Sequence, residues 1–303
     1  MGTQGTGWSN ESQPAVDVVI SVYGEREEAL TATLSACAKQ DYPINKIFVV
    51  DDGSPEAVCL PPTEGPSPQI SLMRLAQNQD ISAARNAALS HSETPLVACI
   101  NTDVVPDPDW LATCVTYLRG QPRCGACYAR LVSATPKRLL TRWRMRFLET
   151  KFGHQSGPMD FAPGHAVLFR REAVSAVGGY DPYFRLHYED ADICHRMRKI
   201  GWETHFVAES RCVSIQQDHL DQLIGKVLRE TAWYSPSDGS LSHLYYHHTR
   251  MTLIRAGRNI VKGRLDFLPV DAAIYVRGLW TATIRTLRYR ASLRAASQSK
   301  LRT

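Results

Sequence analysis

Short apolar runs alternate with longer amphipathic stretches over roughly the first 120 residues of the chain. The runs at 16–22, 46–50, 70–75 and 96–100 are mostly apolar, as expected for parallel strands buried on both faces. Between the first two runs, apolar positions in 25–40 recur at helical spacing. This alternation predicts a doubly wound, mostly parallel α/β sheet that is flanked by helices.

Strand and helix patterns continue beyond that point, but they no longer alternate regularly. Short apolar runs at 125–132, 165–169 and 204–215 predict further strands. Two longer periodic segments, 241–260 and 269–290, predict helices in the C-terminal part of the chain. We therefore expect the sheet to be followed by a helical appendage.

Composition is that of an ordinary globular protein. Apolar residues make up 44% and charged residues 21% of the 303 residues, which is enough for a sizeable core. The eight cysteines are scattered rather than spaced as a disulfide framework, and no apolar signal core follows Met1. Both observations favour a reducing, cytoplasmic location. Cys124 and Cys127 are interpreted as two buried strand thiols.

Charge is unevenly distributed along the chain. From Arg250 onward there are twelve basic and two acidic residues, whereas the whole chain has a net charge of +5, so the preceding part is net acidic. A nucleic-acid partner is not expected, because no recognition motif accompanies the basic residues. A solvated helix face stays open as an alternative.

Peripheral contact with a membrane through the basic C-terminal helices is the favoured interpretation of this tail. Apolar side chains such as Leu279 and Trp280 alternate there with arginines, giving an amphipathic, cationic segment. Asp271 and Arg277 interrupt the apolar run, so we do not expect a helix that spans the bilayer.

Two acidic clusters carry the candidate chemistry. The strand at 96–100 runs into Asn101 and Asp103, and Glu189 and Asp190 open a predicted helix about ninety residues later. Open α/β sheets bind ligands beyond the carboxyl ends of their strands, where a carboxylate can hold a hard divalent cation against a phosphate. The second cluster can supply a proton acceptor. Together they predict group transfer from a nucleotide-activated donor.

Each acidic residue also has a purely structural interpretation. Asp103 can cap the helix that follows it, and Asp51 and Asp52 can simply form a turn. Asp190 and Asp192 both lie where the first turn of a helix favours an acid. One of these two is expected to be structural, and we assign that role to Asp192.

Seven sequence blocks appear in a characteristic order and spacing. They are VVISVY at 18–23, VVDDGS at 49–54, ARN at 84–86, NTD at 101–103, GHAVLFRR at 164–171, VGGYD at 177–181 and YEDADICHR at 188–196. In these blocks the chain resembles family 2 glycosyltransferases, which are inverting enzymes with the GT-A fold. It is most similar to the rhamnosyltransferase-like branch that acts on bacterial surface glycans. The resemblance covers roughly residues 16–215.

The resemblance and the patterns together imply a division of the chain. The expected segments are a disordered leader at 1–14, a GT-A glycosyltransferase domain at 15–215 with a nucleotide-binding half at 15–120 and an acceptor half at 121–215, a linker at 216–240 and a basic helical region at 241–303.

The resemblance places a nucleotide-sugar donor at the strand ends. Ser21, Tyr23 and Glu25 match positions where the first strand of the family meets the nucleotide. Asp51 or Asp52 would accept the hydrogen bond from the imide N–H of a dTDP- or UDP-sugar, since an ionised aspartate only accepts hydrogen bonds.

The resemblance also implies roles in the chemical step. Arg85 would face the diphosphate, while Asn101 and Asp103 stand in the motif through which the family binds a divalent metal, Mn²⁺ or Mg²⁺, with Asp103 as the ligand. Metal and arginine would stabilise charge on the leaving nucleoside diphosphate. Asp190 matches the general base, and Glu189 beside it would raise the pKa of one of the two carboxyls.

Three positions depart from the family pattern. The first position of the metal motif is Asn101, which implies weaker metal binding. The branch usually has a histidine ligand where this chain has Ser214, and His219 is the candidate substitute. The glycine usual before the ARN helix is replaced by Asp80.

The sequence thus predicts an inverting glycosyltransferase that acts on a glycan or lipid-linked acceptor at the inner face of a membrane. The alternative is a catalytically silent scaffold that binds a sugar nucleotide or a membrane, which Asn101 and Ser214 make conceivable. A nucleotidyltransferase is not favoured, because the segment after Val22 has one glycine and no Gly-rich phosphate loop. The sequence makes no prediction of the oligomeric state.

Overall fold

The chain divides into two compact units. A computed structural model describes residues 13–24, 27–60, 68–149, 154–184, 188–233, 241–281 and 283–284. Residues 1–134 and 149–216 form an α/β unit, and residues 135–148 and 217–303 form a helical unit. The segment 135–148, which was predicted to lie within the acceptor half, thus belongs with the C-terminal region.

Within the described ranges, nine strands of the α/β unit form one mixed sheet. They are β1 (Val16–Val22), β2 (Ile44–Asp51), β3 (Gln69–Arg74), β4 (Leu96–Asn101), β5 (Val104–Pro106), β6 (Cys124–Ser133), β7 (Gly157–Met159), β8 (Ala166–Arg170) and β9 (Glu203–Ser214). Their order is β3-β2-β1-β4-β8-β6-β9-β5, and β7 pairs with β9. The first four in this order are mutually parallel. Strand β8 runs antiparallel to both of its neighbours.

Helices cover both faces of this sheet. They are α1 (Glu27–Ala38), α2 (Asp80–Leu89), α3 (Trp110–Arg119), α5 (Arg171–Ala176) and α6 (Glu189–Lys199), all of the α/β unit. The helical unit contains α4 (Leu139–Arg144), α7 (Leu220–Trp233), α8 (Leu241–Val261) and α9 (268–281). The predicted α/β sheet flanked by helices is confirmed.

The continuous apolar runs are explained by burial on both sides of the sheet. In β1, Val18 and Ile20 point into the layer formed with α1 and α3. Val19 points into the opposite layer, which is formed with α2, α5 and α6. A strand enclosed in this way has no face that favours polar residues.

The cysteines follow the same burial. All eight are free thiols, and all except Cys59 are buried. Cys124 and Cys127 lie in β6, in agreement with their interpretation as buried strand thiols. Burial raises the pKa of the Cys124 thiol to about 12, which keeps it protonated and unreactive.

The helical unit has its own apolar core. Trp143 of α4 packs there with Leu223 and Val227 of α7 and with Phe267 and Ile274. Helix α7 occupies most of the interval 216–240 that was predicted as a linker. Its apolar residues recur every three or four positions, so that one face of the helix is buried against this core.

None of the helices in the described parts of the chain is long and apolar enough to cross a membrane.

Candidate active site

The carboxyl ends of three parallel strands meet at one edge of the sheet. Ser21 of β1 lies opposite Asn101 of β4, and Val22 lies opposite Asp51 at the end of β2. Tyr23 follows β1 and is half-exposed. Glu25, also predicted to meet the nucleotide, lies outside the described residues. The predicted donor residues of the strand ends are therefore neighbours, although they come from separate parts of the sequence.

Asp51 organises the loop that follows β2. Its Oδ1 accepts a hydrogen bond from the N–H of Ser54 at 2.8 Å, and its Oδ2 accepts from the N–H of Val58 at 3.3 Å and from Nη1 of Arg74 at 2.5 Å. Burial alone would raise the pKa of Asp51, but these hydrogen bonds and the Arg74 charge together lower it. Both oxygens of Asp51 thus hold the loop.

Asp52 faces the segment that leads into α2. Its Oδ1 accepts a hydrogen bond from the N–H of Gln79 at 2.8 Å. Burial raises the pKa of Asp52, and the nearby Asp80 and Asp51 charges act in the same direction against the hydrogen bonds. Gly53 is needed at this point, because its φ is +68° and a Cβ there would lie 2.5 Å from the carbonyl carbon of Gln77.

Asp80 adopts a left-handed backbone conformation with a φ of +70°. Glycine reaches this conformation without strain, whereas aspartate is one of the few other residues that tolerate it. This explains in physical terms why a glycine suits this position and why an aspartate can replace it.

The turn after β4 is held from two sides. The buried Thr33 hydroxyl of α1 lies 2.8 Å from the carbonyl oxygen of Thr102 and 3.0 Å from that of Val104. The carbonyl oxygen of Asp103 accepts from the N–H of Ile215 at 2.9 Å, immediately after β9. Asp103 does not cap a helix, since β5 follows it directly and α3 begins only at Trp110.

Ser214, the position of the usual histidine ligand, lies beside this turn. It pairs with Val104 in the β5–β9 ladder, one residue after Asp103. His219 is exposed and immediately precedes α7, in the helical unit. Across the described ranges, no group of three His, Cys, Asp or Glu side chains could hold a metal ion. A single carboxylate fits a cation that is shared with a bound diphosphate, as is usual for Mg²⁺.

Arg85 is the hub of the site. This fully buried guanidinium donates from Nη2 to Oδ1 of Asn101 at 3.1 Å and to the carbonyl oxygen of Gly164 at 2.7 Å. Its Nη1 lies 3.5 Å from Oε1 of Glu189, and the guanidinium stacks on the ring of Tyr180 at 5.2 Å. Arg85 was predicted to face a diphosphate, but only 1% of the residue is exposed and its contacts join Asn101 to Glu189.

Gly164 is a site residue that sequence reasoning missed. A Cβ there would lie 2.8 Å from Nη1 of Arg85, so only glycine allows the guanidinium to approach this backbone. The N–H of Gly164 donates to Oδ2 of Asp190 at 3.1 Å. Its position at the start of the GHAVLFRR block was the available signal.

Helix α2 fastens a second loop through the residue after Arg85. Asn86 donates to the carbonyl oxygen of Tyr180 at 2.7 Å and accepts from the N–H of the same residue at 2.8 Å. Gly179 has a φ of +77°, and a Cβ there would lie 2.6 Å from Oδ1 of Asn86. The ARN block therefore assembles two loops around the site, which its sequence alone did not reveal.

Glu189 and Asp190 form the first turn of α6. Glu189 is buried, whereas Asp190 is only half-buried. The preceding residue, Tyr188, has a φ of +71°. Such strain costs about 1–3 kcal/mol and persists where the surrounding structure fixes it, which is common at functional sites.

The two carboxyls differ in their surroundings. Burial and the neighbouring Asp190 raise the pKa of Glu189 to about 7, against the opposing effect of Arg85. Burial also raises the pKa of Asp190, but the N–H groups of Gly164 and Ala191 limit the rise. The next acid, Asp192, instead forms an ion pair at 2.7 Å with Arg196, one turn further along α6.

Known proteins share the sequence pattern of this region. A model of the family described as "Glycosyl transferase family 2" matches residues 17–178. A pre-mycofactocin glycosyltransferase from Mycobacterium tuberculosis is 25% identical over 219 residues, which cover 70% of this chain and 45% of that protein. An N-acetylglucosaminyltransferase from Neorhizobium galegae is 26% identical over 291 residues, 89% of this chain and 66% of its own length. The chain spans about half the length of several of these relatives.

Solved structures share the fold. The mannosyltransferase PcManGT from Pyrobaculum calidifontis, in complex with GDP-Man and Mn²⁺, superposes with a TM-score of 0.55 at 20% identity, over 96% of this chain and 81% of that one. The structure of GalNAc-T7 with UDP, GalNAc and Mn²⁺ gives a TM-score of 0.53 at 14% identity, over 69% of this chain and 45% of that one.

Proposed function

This chain belongs to glycosyl transferase family 2 and has a GT-A type fold, and from that premise we propose that it is an inverting enzyme with a dTDP- or UDP-sugar donor. The sugar is transferred to a hydroxyl of a glycan or lipid-linked acceptor. The observation that carries the proposal is the Arg85 hub, which joins the strand-end residue Asn101 to Glu189 at the start of α6. One buried side chain thereby connects the strand end where the donor would bind with the helix that carries the proposed proton acceptor.

Asp190 is the general base of the proposed reaction. Inversion requires the acceptor hydroxyl to attack the anomeric carbon opposite the leaving group while it loses its proton. Asp190 is half-buried and so can reach an acceptor, whereas Glu189 is held inward against Arg85. The N–H of Gly164 fixes the orientation of the Asp190 carboxylate before the acceptor arrives.

Glu189 is a positioning residue. With a pKa of about 7 it carries its proton for part of the time at neutral pH, which reduces its repulsion of the Asp190 carboxylate. Its contact with Arg85 fixes the start of α6 relative to β4.

On the donor side, Asp52 is the acceptor for the pyrimidine imide N–H. Asp51 is less suited, because both of its oxygens already accept hydrogen bonds from Ser54, Val58 and Arg74. Ser21 and Tyr23 line the nucleotide in this proposal, which is supported by their location at the end of β1 and by the exposure of Tyr23.

Asp103 would hold a divalent cation beside the donor diphosphate. When bound, the cation stabilises negative charge on the leaving nucleoside diphosphate. Asn101 has another task, because its Oδ1 already accepts a hydrogen bond from the Arg85 guanidinium. Two positive groups on one amide oxygen would repel each other, so Asn101 orients the turn and leaves the ligand role to Asp103.

A donor screen tests the proposal. The melting temperature of the full chain should rise with UDP- or dTDP-sugars in the presence of Mn²⁺, and less with GDP-sugars, because a ligand that binds only the folded state stabilises it. The same donors should then release nucleoside diphosphate. A thermal shift without any release would favour the catalytically silent scaffold, and a preference for GDP-sugars would exclude the role of Asp52.

Peripheral contact with the inner face of a membrane accompanies this function. The predicted basic helix at 269–290 falls largely within or next to α9, where Trp280 is exposed and Arg277 pairs with Asp221 at 2.5 Å. Arg285, Arg288 and the remaining basic tail lie outside the described residues. An attachment of this kind brings a lipid-linked acceptor to the enzyme.

A further inference from the structure

Helix α8 of the helical unit buries polar residues and exposes apolar ones, which is the reverse of an ordinary surface helix. The polar residues His248, Thr252, Arg255 and Asn259 are buried on one side. On the opposite side, apolar residues are exposed to solvent. Surface helices normally bury their apolar stripe and expose their polar one, so this arrangement needs an explanation.

The buried polar side has a structural cause within the helical unit. Asn259 donates to Oδ2 of Asp271 at 2.7 Å, and Trp143 donates from its indole N–H to Oδ1 of the same carboxylate at 2.9 Å. Arg255 lies against the ring of Trp143 at 5.4 Å. These contacts fix the orientation of α8, and its apolar side has to face outward.

The exposed side forms a stripe that runs from Tyr246 to Val261. Tyr246, Leu253 and Ile260 recur every seven residues and therefore share one face. Leu253 is 66% exposed and Val261 is 87% exposed. A groove of about 530 Å³ opens on this face, lined by Tyr245, Tyr246, Thr249, Arg250, Leu253 and Ile254. We call this surface the α8 face.

Charge indicates what covers the α8 face. Helix α8 contains no aspartate or glutamate. Arg250 lies on the face, and Arg258, Lys262 and Arg264 are exposed along or just beyond the helix. A second copy of the chain would bring the same positive charges together, which opposes self-association. An anionic lipid surface instead offers an apolar layer beneath a layer of negative charge.

We propose that the α8 face is a docking surface for anionic phospholipid headgroups and the acyl boundary below them. An apolar stripe flanked by arginine and lysine is the pattern of helices that lie in the membrane interface. The inference deepens the membrane partner proposed above, and it assigns the attachment to α8 rather than to the tail beyond residue 284. It does not depend on the identity of the transferred sugar.

Vesicle co-sedimentation of the full chain tests this assignment. The protein should bind vesicles of phosphatidylcholine with phosphatidylglycerol more strongly than vesicles of phosphatidylcholine alone. Changing Leu253→Ser and Ile260→Ser together should lower the partition coefficient at least about tenfold, because both side chains lose their apolar burial in the interface. Arg250→Gln should lower it about fivefold, an effect that added salt removes.

Controls separate the α8 face from other sources of binding. Ile200→Ser changes an exposed apolar residue of the α/β unit and should leave the partition coefficient unchanged. Changing Arg285 and Arg288 to glutamine should have a smaller effect than the Leu253 and Ile260 pair. If the tail variant loses binding while the α8 variant binds like the unchanged protein, the assignment to α8 is wrong.

Two further readouts complete the test. In sedimentation velocity without lipid, we expect the unchanged protein to show no self-association through the α8 face. If it does self-associate and the Leu253 and Ile260 variant does not, the face is a protein interface and the proposal is overturned. Donor-induced thermal shifts should be equal in the Leu253 and Ile260, Arg250 and Ile200 variants, because these side chains are exposed and none of them belongs to the candidate site. If no donor shifts any variant but the vesicle results hold, the α8 proposal stands and the proposed reaction fails.

Discussion

Two pairs of adjacent acids lie in the candidate site, and their surroundings shift the pKa values of Asp51 and Glu189 in opposite directions. Asp51 of the first pair is surrounded by hydrogen-bond donors and faces Arg74, which lowers its pKa. Glu189 of the second pair is buried beside Asp190, and its pKa rises to about 7. The same carboxyl group thus stays ionised at neutral pH in Asp51, where it holds a loop, and titrates near neutral pH in Glu189.

The cations that accompany the two pairs differ in the same way. Arg74 is 43% exposed at its side chain, whereas that of Arg85 is only 2% exposed. A partly exposed ion pair contributes little to stability, while the loss of one partner of a buried pair leaves an uncompensated charge. We therefore expect the second pair to respond far more strongly to substitution.

The largest effect is expected for Asp190→Asn. Removal of the proton acceptor should lower turnover by about 10²–10⁴-fold while donor binding and folding remain nearly intact. The matched control is Asp192→Asn on the same turn of α6, whose carboxylate pairs with Arg196 and should affect stability rather than turnover. Steady-state kinetics of nucleoside diphosphate release measure both. Normal turnover in Asp190→Asn would move the base to Glu189.

The second-largest effect is expected on the free energy of unfolding when Arg85 is replaced, and Arg74 is the comparison. At pH 8, Arg85→Gln should lower the free energy of unfolding by about 3–5 kcal/mol, because the ionised Glu189 is then buried without its partner. Arg74→Gln, at the exposed pair with Asp51, should lower it by no more than about 1 kcal/mol. Urea unfolding of the two variants gives the values, and equal losses would contradict the contrast between the pairs.

A smaller effect is expected in the pH dependence of stability. The folded chain keeps the proton of Glu189 up to a pKa of about 7, whereas its ordinary value is 4.5. Over this window the unfolded state binds fewer protons, so stability falls with rising pH by at most about 1.4 kcal/mol per pH unit.

The variants Glu189→Gln and Asp51→Asn should have opposite effects on the pH dependence of stability. Glu189→Gln should flatten the decline between pH 4.5 and about 7. Asp51 has a lowered pKa, so it stabilises the fold above its ordinary pKa of 3.8 and this contribution is lost on acidification. Asp51→Asn should therefore remove stability at neutral pH. The measurement is the free energy of unfolding of both variants and of the unchanged protein as a function of pH. If the three pH profiles are parallel, the surroundings of Glu189 and Asp51 do not shift their pKa values as described.

The smallest effect concerns the segment beside Asp52. Asp80→Gly should raise the free energy of unfolding by up to about 1 kcal/mol, because glycine adopts a positive φ without strain. Asp80→Ala is the control and should destabilise the protein, since alanine gains no such freedom. A loss of stability in the glycine variant would mean that the Asp80 side chain stabilises the turn by more than its strain costs.

The sequence alone determined the fold class, because burial on both faces leaves a direct mark on strands such as β1 and β4. It also placed Ser21, Asp51, Asn101 and Asp103 at strand ends, since strand ends are visible in the apolar pattern. It did not predict helix α7 in the interval 216–240, where α7 buries its apolar stripe against a core that includes Trp143, eighty residues earlier. Local periodicity cannot indicate that α7 packs against the core around Trp143, because that core is formed by a distant part of the sequence.

Only the tertiary structure decided how the candidate residues act together. From the sequence, the positive charge of Arg85 was predicted to face a phosphate. Its burial against Gly164, Asn101 and Glu189 depends on three segments that are far apart in sequence. The inversion of α8 likewise follows from the buried Asp271, which sequence patterns cannot distinguish from an exposed one. Charge and hydrophobicity are encoded residue by residue, whereas desolvation and hydrogen-bond partners depend on which segments meet, and those set the pKa values and the roles.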